Sequence, residues 1–174
     1  SSTSAAAGVT VTSGGTATIT AGGPTTFCQG GSVSLTASTG TSYLWSTGAT
    51  TKTISVSNSG SYTVTVYNGA TPSVSAPVTV TVLALPTATI TASGSTTICQ
   101  GANVTLTASA NSSYLWSPNN QTTQAITVNT AGTYNVVVTG TNGCTKAATP
   151  VTVTVTTCGG SCAAPYGLYT NSVS

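Results

Sequence analysis

Five short blocks occur twice in this chain, in the same order, and that duplication governs every reading of its fold. Phe27-Cys28-Gln29-Gly30 returns as Ile98-Cys99-Gln100-Gly101, and Val33-Ser34-Leu35-Thr36-Ala37 as Val104-Thr105-Leu106-Thr107-Ala108. Ser42-Tyr43-Leu44-Trp45-Ser46 returns as Ser113-Tyr114-Leu115-Trp116-Ser117, and Gly60-Ser61-Tyr62-Thr63-Val64 as Gly132-Thr133-Tyr134-Asn135-Val136. Pro77-Val78-Thr79-Val80-Thr81-Val82 returns as Pro150-Val151-Thr152-Val153-Thr154-Val155. The offset begins at 71 residues and grows to 73 through short insertions. Thr16–Val82 and Thr87–Val155 are two copies of one module.

Within each block the apolar residues recur every second position, the period of a half-buried strand. Val33, Leu35 and Ala37 share a face, as do Tyr43 and Trp45, Ile54 and Val56, then Tyr62, Val64 and Val66, then Val78, Val80 and Val82. Threonine on the opposite face keeps β-branched stiffness while offering a hydroxyl to water. Gly, Ser, Asn and Pro at 38–41, 47–50, 57–60 and 68–76 mark turns. No window carries a helical stripe. Each copy offers six or seven short antiparallel strands, so the expected fold class is all-β: two tandem antiparallel β-sandwiches. The expected organisation is an N-terminal strand over 1–15, repeat 1 over 16–85, repeat 2 over 86–157 and a C-terminal segment over 158–174. Leu83-Ala84-Leu85-Pro86 makes a very short connection between the repeats.

Composition then removes whole classes of function. The chain has two lysines and no Arg, Asp, Glu or His, with 41 Thr and 24 Ser among its 174 residues. General acid–base catalysis draws first on His, Asp and Glu, and calcium and magnesium sites need carboxylates. Nucleic-acid binding needs clustered cations, whereas Lys52 and Lys146 are far apart. Cys158 and Cys162 supply two thiolates where structural zinc wants four N/S ligands. No stretch approaches the ~20 apolar residues of a membrane span. The expectation is a non-enzyme without cofactor or metal, with no nucleic acid as partner and no membrane insertion. Five cysteines favour an oxidising, extracellular or cell-surface location.

The blocks also carry a resemblance. A Trp on the third strand, an apolar strand, and Gly-x-Tyr-x-Val before the last hairpin resemble the immunoglobulin-like sandwich. That resemblance implies that Trp45 and Trp116 fill the cores and that Tyr62 and Tyr134 form tyrosine corners. The fuller pattern, from Cys-Gln-Gly to Asn142-Gly143-Cys144, is similar to immunoglobulin-like repeats in large secreted surface proteins of Bacteroidota. Those proteins, typically exported by the type IX system, serve as adhesins, stalks or gliding-related filaments. Repeat 1 departs from the pattern, because Asn68-Gly69-Ala70-Thr71 has no counterpart to Cys144.

Two cysteine pairings stay open. In one, Cys99 joins Cys144 within repeat 2, Cys158 joins Cys162, and Cys28 is left over. In the other, which the immunoglobulin strand order implies, Cys99 and Cys144 lie at opposite poles, farther apart than a disulfide can reach. Cys28 then joins Cys144 across the junction, and Cys99 joins Cys158 or Cys162.

The ends carry further expectations. Ala5–Thr12 resembles the closing strand of a preceding module, and Cys162–Leu168 resembles the opening strand of a fibronectin type III domain. The N-terminus lacks the basic start and apolar run of an intact signal peptide and reads as the interior of a longer polypeptide. An unpaired strand is a template for another chain, so Val9, Val11, Tyr166, Leu168 and Tyr169 are candidate subunit contacts in a homopolymer. Near-zero net charge promotes such association. A surface filament or stalk is the first reading. An adhesin for glycan or another surface, through aromatics such as Tyr67, Tyr166 and Tyr169, is the second.

Overall fold

The computed structural model describes residues 15–158, which divide between Leu85 and Pro86 into two compact units. Among the described residues every regular element is a strand. In the first unit β1 (Ile19–Ala21), β3 (Val33–Ala37) and β5 (Thr53–Val56) form one layer, in the order β1-β3-β5. The facing layer combines β2 (Thr26–Cys28), β4 (Ser42–Trp45), β6 (Gly60–Tyr62), β7 (Val64–Asn68), β8 (Thr71–Val74) and β9 (Val78–Leu83). Here β6 and β7 are two halves of one extended run: β6 pairs with β9, and β7 pairs with β4 and β8.

The second unit repeats this plan. β10 (Ile90–Ala92), β12 (Val104–Ala108) and β14 (Ala125–Val128) make one layer. β11 (Thr97–Cys99), β17 (Val151–Thr156), β15 (Gly132–Thr139) and β13 (Ser113–Ser117) make the other, with β16 (Thr145–Ala147) on β15. In both units the period-2 residues point between the layers. Leu35, Val64 and Leu106, Val136, Val138 are wholly buried beside the two tryptophans.

Two expectations need correction. The strands are not all antiparallel, since β2 runs parallel to β9 and β11 parallel to β17. The cause is a break in the opening strand. Gly22-Gly23-Pro24 in one copy and Ser93-Gly94-Ser95 in the other carry the chain from one layer to the other, and period-2 patterning says nothing of a neighbour's direction. The stretch 68–76 is also not all turn, because Thr71–Val74 forms β8. Pro72 is admissible there because β8 pairs on one side only, with β7.

The Cys-Gln-Gly block is a turn. Gly31 N–H donates to Cys28 O at 3.0 Å with Gly30 at φ 95°, and Ala102 N–H donates to Cys99 O at 2.9 Å with Gly101 at φ 89°. A positive φ at the third position is what a type II turn requires and what glycine supplies without strain.

One difference between the copies shows how the module satisfies its buried backbone. The last strand breaks at Ser75-Ala76-Pro77 in unit 1 and at Ala148-Thr149-Pro150 in unit 2. In unit 1 the buried Ser75 Oγ accepts from Val64 N–H at 3.1 Å, and Ser75 N–H donates to Val64 O at 2.9 Å. Ala148 stands at the matching place and has no hydroxyl to offer. There the N–H of Val136, the counterpart of Val64, instead donates to Asn135 Oδ1 at 2.7 Å. Removing either acceptor strands a buried N–H, at a cost of about 1–3 kcal/mol. Ser75→Ala and Asn135→Ala are each expected to lower stability by that amount in denaturant unfolding. Thr63→Asn should restore most of the loss in the Ser75→Ala background, because it recreates the second unit's solution.

Candidate functional site

The side chains singled out by the duplication are structural. Trp45, at the end of β4, is 2% exposed, and its Nε1–H donates to Thr51 O at 2.8 Å. Trp116, on β13, is wholly buried and donates to Thr123 O at 2.9 Å. Tyr62 OH donates to Asn58 O at 2.9 Å, and Tyr134 OH to Thr130 O at 3.0 Å, both four residues back. That is the geometry of a tyrosine corner. None of the four presents a ring face to a ligand.

Among the cysteines, Cys99 is bonded to Cys158, with Cα atoms 5.3 Å apart. The parallel pairing of β11 with β17 makes this bond: Cys99 lies opposite Thr156, Gln100 N–H donates to Thr156 O at 2.9 Å, and Cys158 follows two residues on. The pairing of Cys99 with Cys144, together with Cys158–Cys162, is therefore overturned. Cys144 follows the far end of β15, where Gly140 N–H donates to its carbonyl, while β17 meets β15 at the Gly132 end. Closing a 59-residue separation stabilises the fold by about 4 kcal/mol in the chain-entropy treatment. Cys28 and the fully buried Cys144 are disulfide-bonded as well. In unit 1 the residues matching Cys158 and Cys144 are Leu85 and Thr71, so Cys28 has no cysteine within its own module.

An exposed apolar row on the outer face of one layer went unnoticed in the sequence. On β4-β7-β8 the cross-strand row is Leu44–Thr65–Val74, with Leu44 44% and Val74 65% exposed. The matching row of the second unit is Leu115–Val137–Ala147, with Leu115 51% and Val137 37% exposed. The signal was available, because in Tyr-Leu-Trp alternation places the leucine opposite the buried tryptophan.

Tyr67 is half-buried in β7, where its carbonyl accepts from Thr41 N–H and Oγ1. Val9, Val11, Cys162, Tyr166, Leu168 and Tyr169 lie outside the described residues. Two open hollows occur in unit 1, one beside Gln29, Asn58 and Ser59, the other beside Pro24, Phe27 and Ser34. Neither is lined by an ionisable or nucleophilic group stronger than a serine hydroxyl.

No family model matches the chain, and no curated protein matches its sequence. Among solved structures it is similar to murine CEACAM1b, at 15% identity and a TM-score of 0.36, covering 80% of this chain and 100% of that one. It is also similar to the human OSCAR ligand-binding domain, at 14% identity and a TM-score of 0.34, covering 80% and 98%. The immunoglobulin-like assignment rests on the strand order, the buried tryptophan and the tyrosine corner of each sandwich.

Acid denaturation arises from carboxylates and histidines whose protonation differs between folded and unfolded chains, and the chain has neither. Between pH 3 and 8 its thermal midpoint is therefore expected to move by less than about 3 °C. A scanning-calorimetry series that falls steeply below pH 5 would contradict this.

Proposed function

We propose that the chain is a non-enzymatic extracellular structural protein whose tandem immunoglobulin-like modules build a bacterial surface filament or stalk. The observation that carries this reading is the repeated apolar row, Leu44–Thr65–Val74 and Leu115–Val137–Ala147, on a chain with two charges. A neutral surface with the same exposed row on each module favours contact between like chains and lacks the repulsion that keeps monomers apart. The Cys99–Cys158 bond supports an oxidising compartment. The resemblance to Bacteroidota surface repeats supports the stalk role.

Negative-stain electron microscopy of the purified chain tests the proposal. Fibres or end-to-end strings are expected, little changed by salt because screening acts only on charges. Leu115→Lys with Val74→Lys should suppress them while leaving the fold intact. Dispersed single particles, with binding on a glycan array, would instead favour an adhesin.

The same reading assigns the remaining cysteines. With Cys99 taken by Cys158, and with Cys28 and Cys144 both oxidised, we propose that Cys28 joins Cys144. Trypsin provides a simple test, because cleavage after Lys52 and Lys146 yields only three fragments. Under denaturing, non-reducing conditions all three should stay together as one species and separate on reduction. Release of the 1–52 fragment without reductant would refute the link.

A further inference from the structure

We propose that Asn68 is a self-modification site, converting spontaneously to aspartate and isoaspartate, and that the fold protects the identical dipeptide at Asn142. The chain contains two Asn-Gly pairs, Asn68-Gly69 where the last residue of β7 enters the turn to β8, and Asn142-Gly143 between β15 and β16. Glycine has no Cβ to hinder its nitrogen, and asparagine is a thermolabile residue. The backbone nitrogen of Gly69 loses its proton and attacks Asn68 Cγ, and the Cγ–Nδ2 bond breaks to release ammonia. Water then opens the five-membered imide. Cleavage at Cγ gives aspartate, and cleavage at the main-chain carbonyl gives isoaspartate. Water is the only co-reactant, and no residue is oxidised or reduced.

The two sites share their dipeptide but not their surroundings. Asn142 Oδ1 accepts from Cys144 N–H at 3.1 Å, and Gly143 N–H donates to Gly140 O at 3.0 Å. Gly140 N–H in turn donates to Cys144 O at 2.8 Å, and Cys144 is fully buried and disulfide-bonded. Both the attacked amide and the attacking nitrogen are thus tied to a residue that cannot move without opening the module. Asn68 is exposed, and its side chain makes no hydrogen bond among the described residues. The attacking nitrogen of Gly69 is held by one bond, to the exposed hydroxyl of Thr41 at 3.2 Å. That hydroxyl also donates to Tyr67 O at 2.8 Å. Reaction at Asn68 needs the loss of that solvent-exchangeable contact and fraying of the terminal Asn68–Thr71 pair of the exposed hairpin, whereas at Asn142 it needs local unfolding around a buried cysteine.

The product would be the first acidic side chain in the molecule, lowering its formal charge from +2 to +1. It would stand at the tip of the hairpin whose second strand bears Val74.

The test is to incubate the full oxidised chain in mildly alkaline buffer. Isoelectric focusing follows the charge, and backbone-fragmentation mass spectrometry of the 53–146 tryptic fragment resolves the two sites. Acid should accumulate at Asn68 at least ten-fold faster than at Asn142, on the scale of about 1.4 kcal/mol or more of protection against local opening. Thr41→Val should accelerate Asn68 and leave Asn142 unchanged. In denaturant with reductant the two sites should react at similar rates. Equal rates in the folded chain, or a contrast that survives unfolding, would overturn the proposal.

Discussion

Each sandwich depends on one buried indole and the single hydrogen bond it donates. Trp45 belongs to one layer, yet its N–H reaches the carbonyl of Thr51, which stands just ahead of β5 in the other. Thr51 Oγ1 donates onward to Thr53 O at 2.8 Å. In the second unit Trp116 reaches Thr123 O, and Thr123 Oγ1 donates to Ala125 O at 2.7 Å. Among the described residues the crossover between layers is the longest step taken without sheet pairing. The indole anchors it from the core side, where the ring's burial and its polar tip act together, and the threonine bond continues the link at the surface. The turns differ, Thr-Gly-Ala-Thr in one copy and Pro-Asn-Asn-Gln-Thr in the other, but both deliver a threonine carbonyl to the indole.

With so few charges, every other polar demand is met by neutral groups. No buried side-chain nitrogen or oxygen lacks a partner among the described residues. Hydroxyl pairs such as Thr36 with Thr53, at 3.1 Å, lie across strands where an ion pair would otherwise be common. The exchange of Ser75 for Asn135 shows that this neutral chemistry is exacting. Where the buried N–H of Val136 has no hydroxyl to accept it, the side chain of its own neighbour on the same strand, Asn135, takes over. An unsatisfied amide in a core costs more than a made bond gains, so the acceptor can move but cannot be dispensed with.

That asymmetry explains what could be read from the residues and what could not. Alternation located the inward faces of β3, β5, β7 and β9, because burial on one side of a sheet imposes a period of 2 that nothing else mimics over so many strands. The same pattern carries no sign for direction, and so the parallel strands β2 and β11 were missed. With them went the certainty that Cys99 meets Cys158 and not Cys144. β8 was hidden because Asn-Gly-Ala-Thr-Pro-Ser is turn-like in composition, and only pairing with β7 makes a strand of it. Leu44 and Leu115 were legible as outward-facing but were overshadowed by the tryptophans beside them. The compensation at Asn135 was beyond reach, since it depends on which side-chain oxygen lies within hydrogen-bond distance of one amide.

The two lysines fit the sheet edges with unusual economy. Lys52 immediately precedes β5, which ends its layer, and Lys146 lies on β16, which pairs with β15 alone. A lysine on an edge strand is a standard obstacle to pairing with another chain, because joining would bury or crowd its charge. Lys146 is such an obstacle in the second module, and Lys52 stands at the entrance to an edge strand in the first. The edges at β4, β13 and β14 carry none. If charge were needed only for solubility, it would be scattered over the outer faces, where threonine stands instead. Placed where it is, it closes some edges and leaves others open. The open ones include β4 and β13, the strands that bear Leu44 and Leu115 on their outer faces. A sheet edge and an exposed leucine therefore occur together on the same two strands. A chain under selection to remain solitary would be expected to guard that combination first.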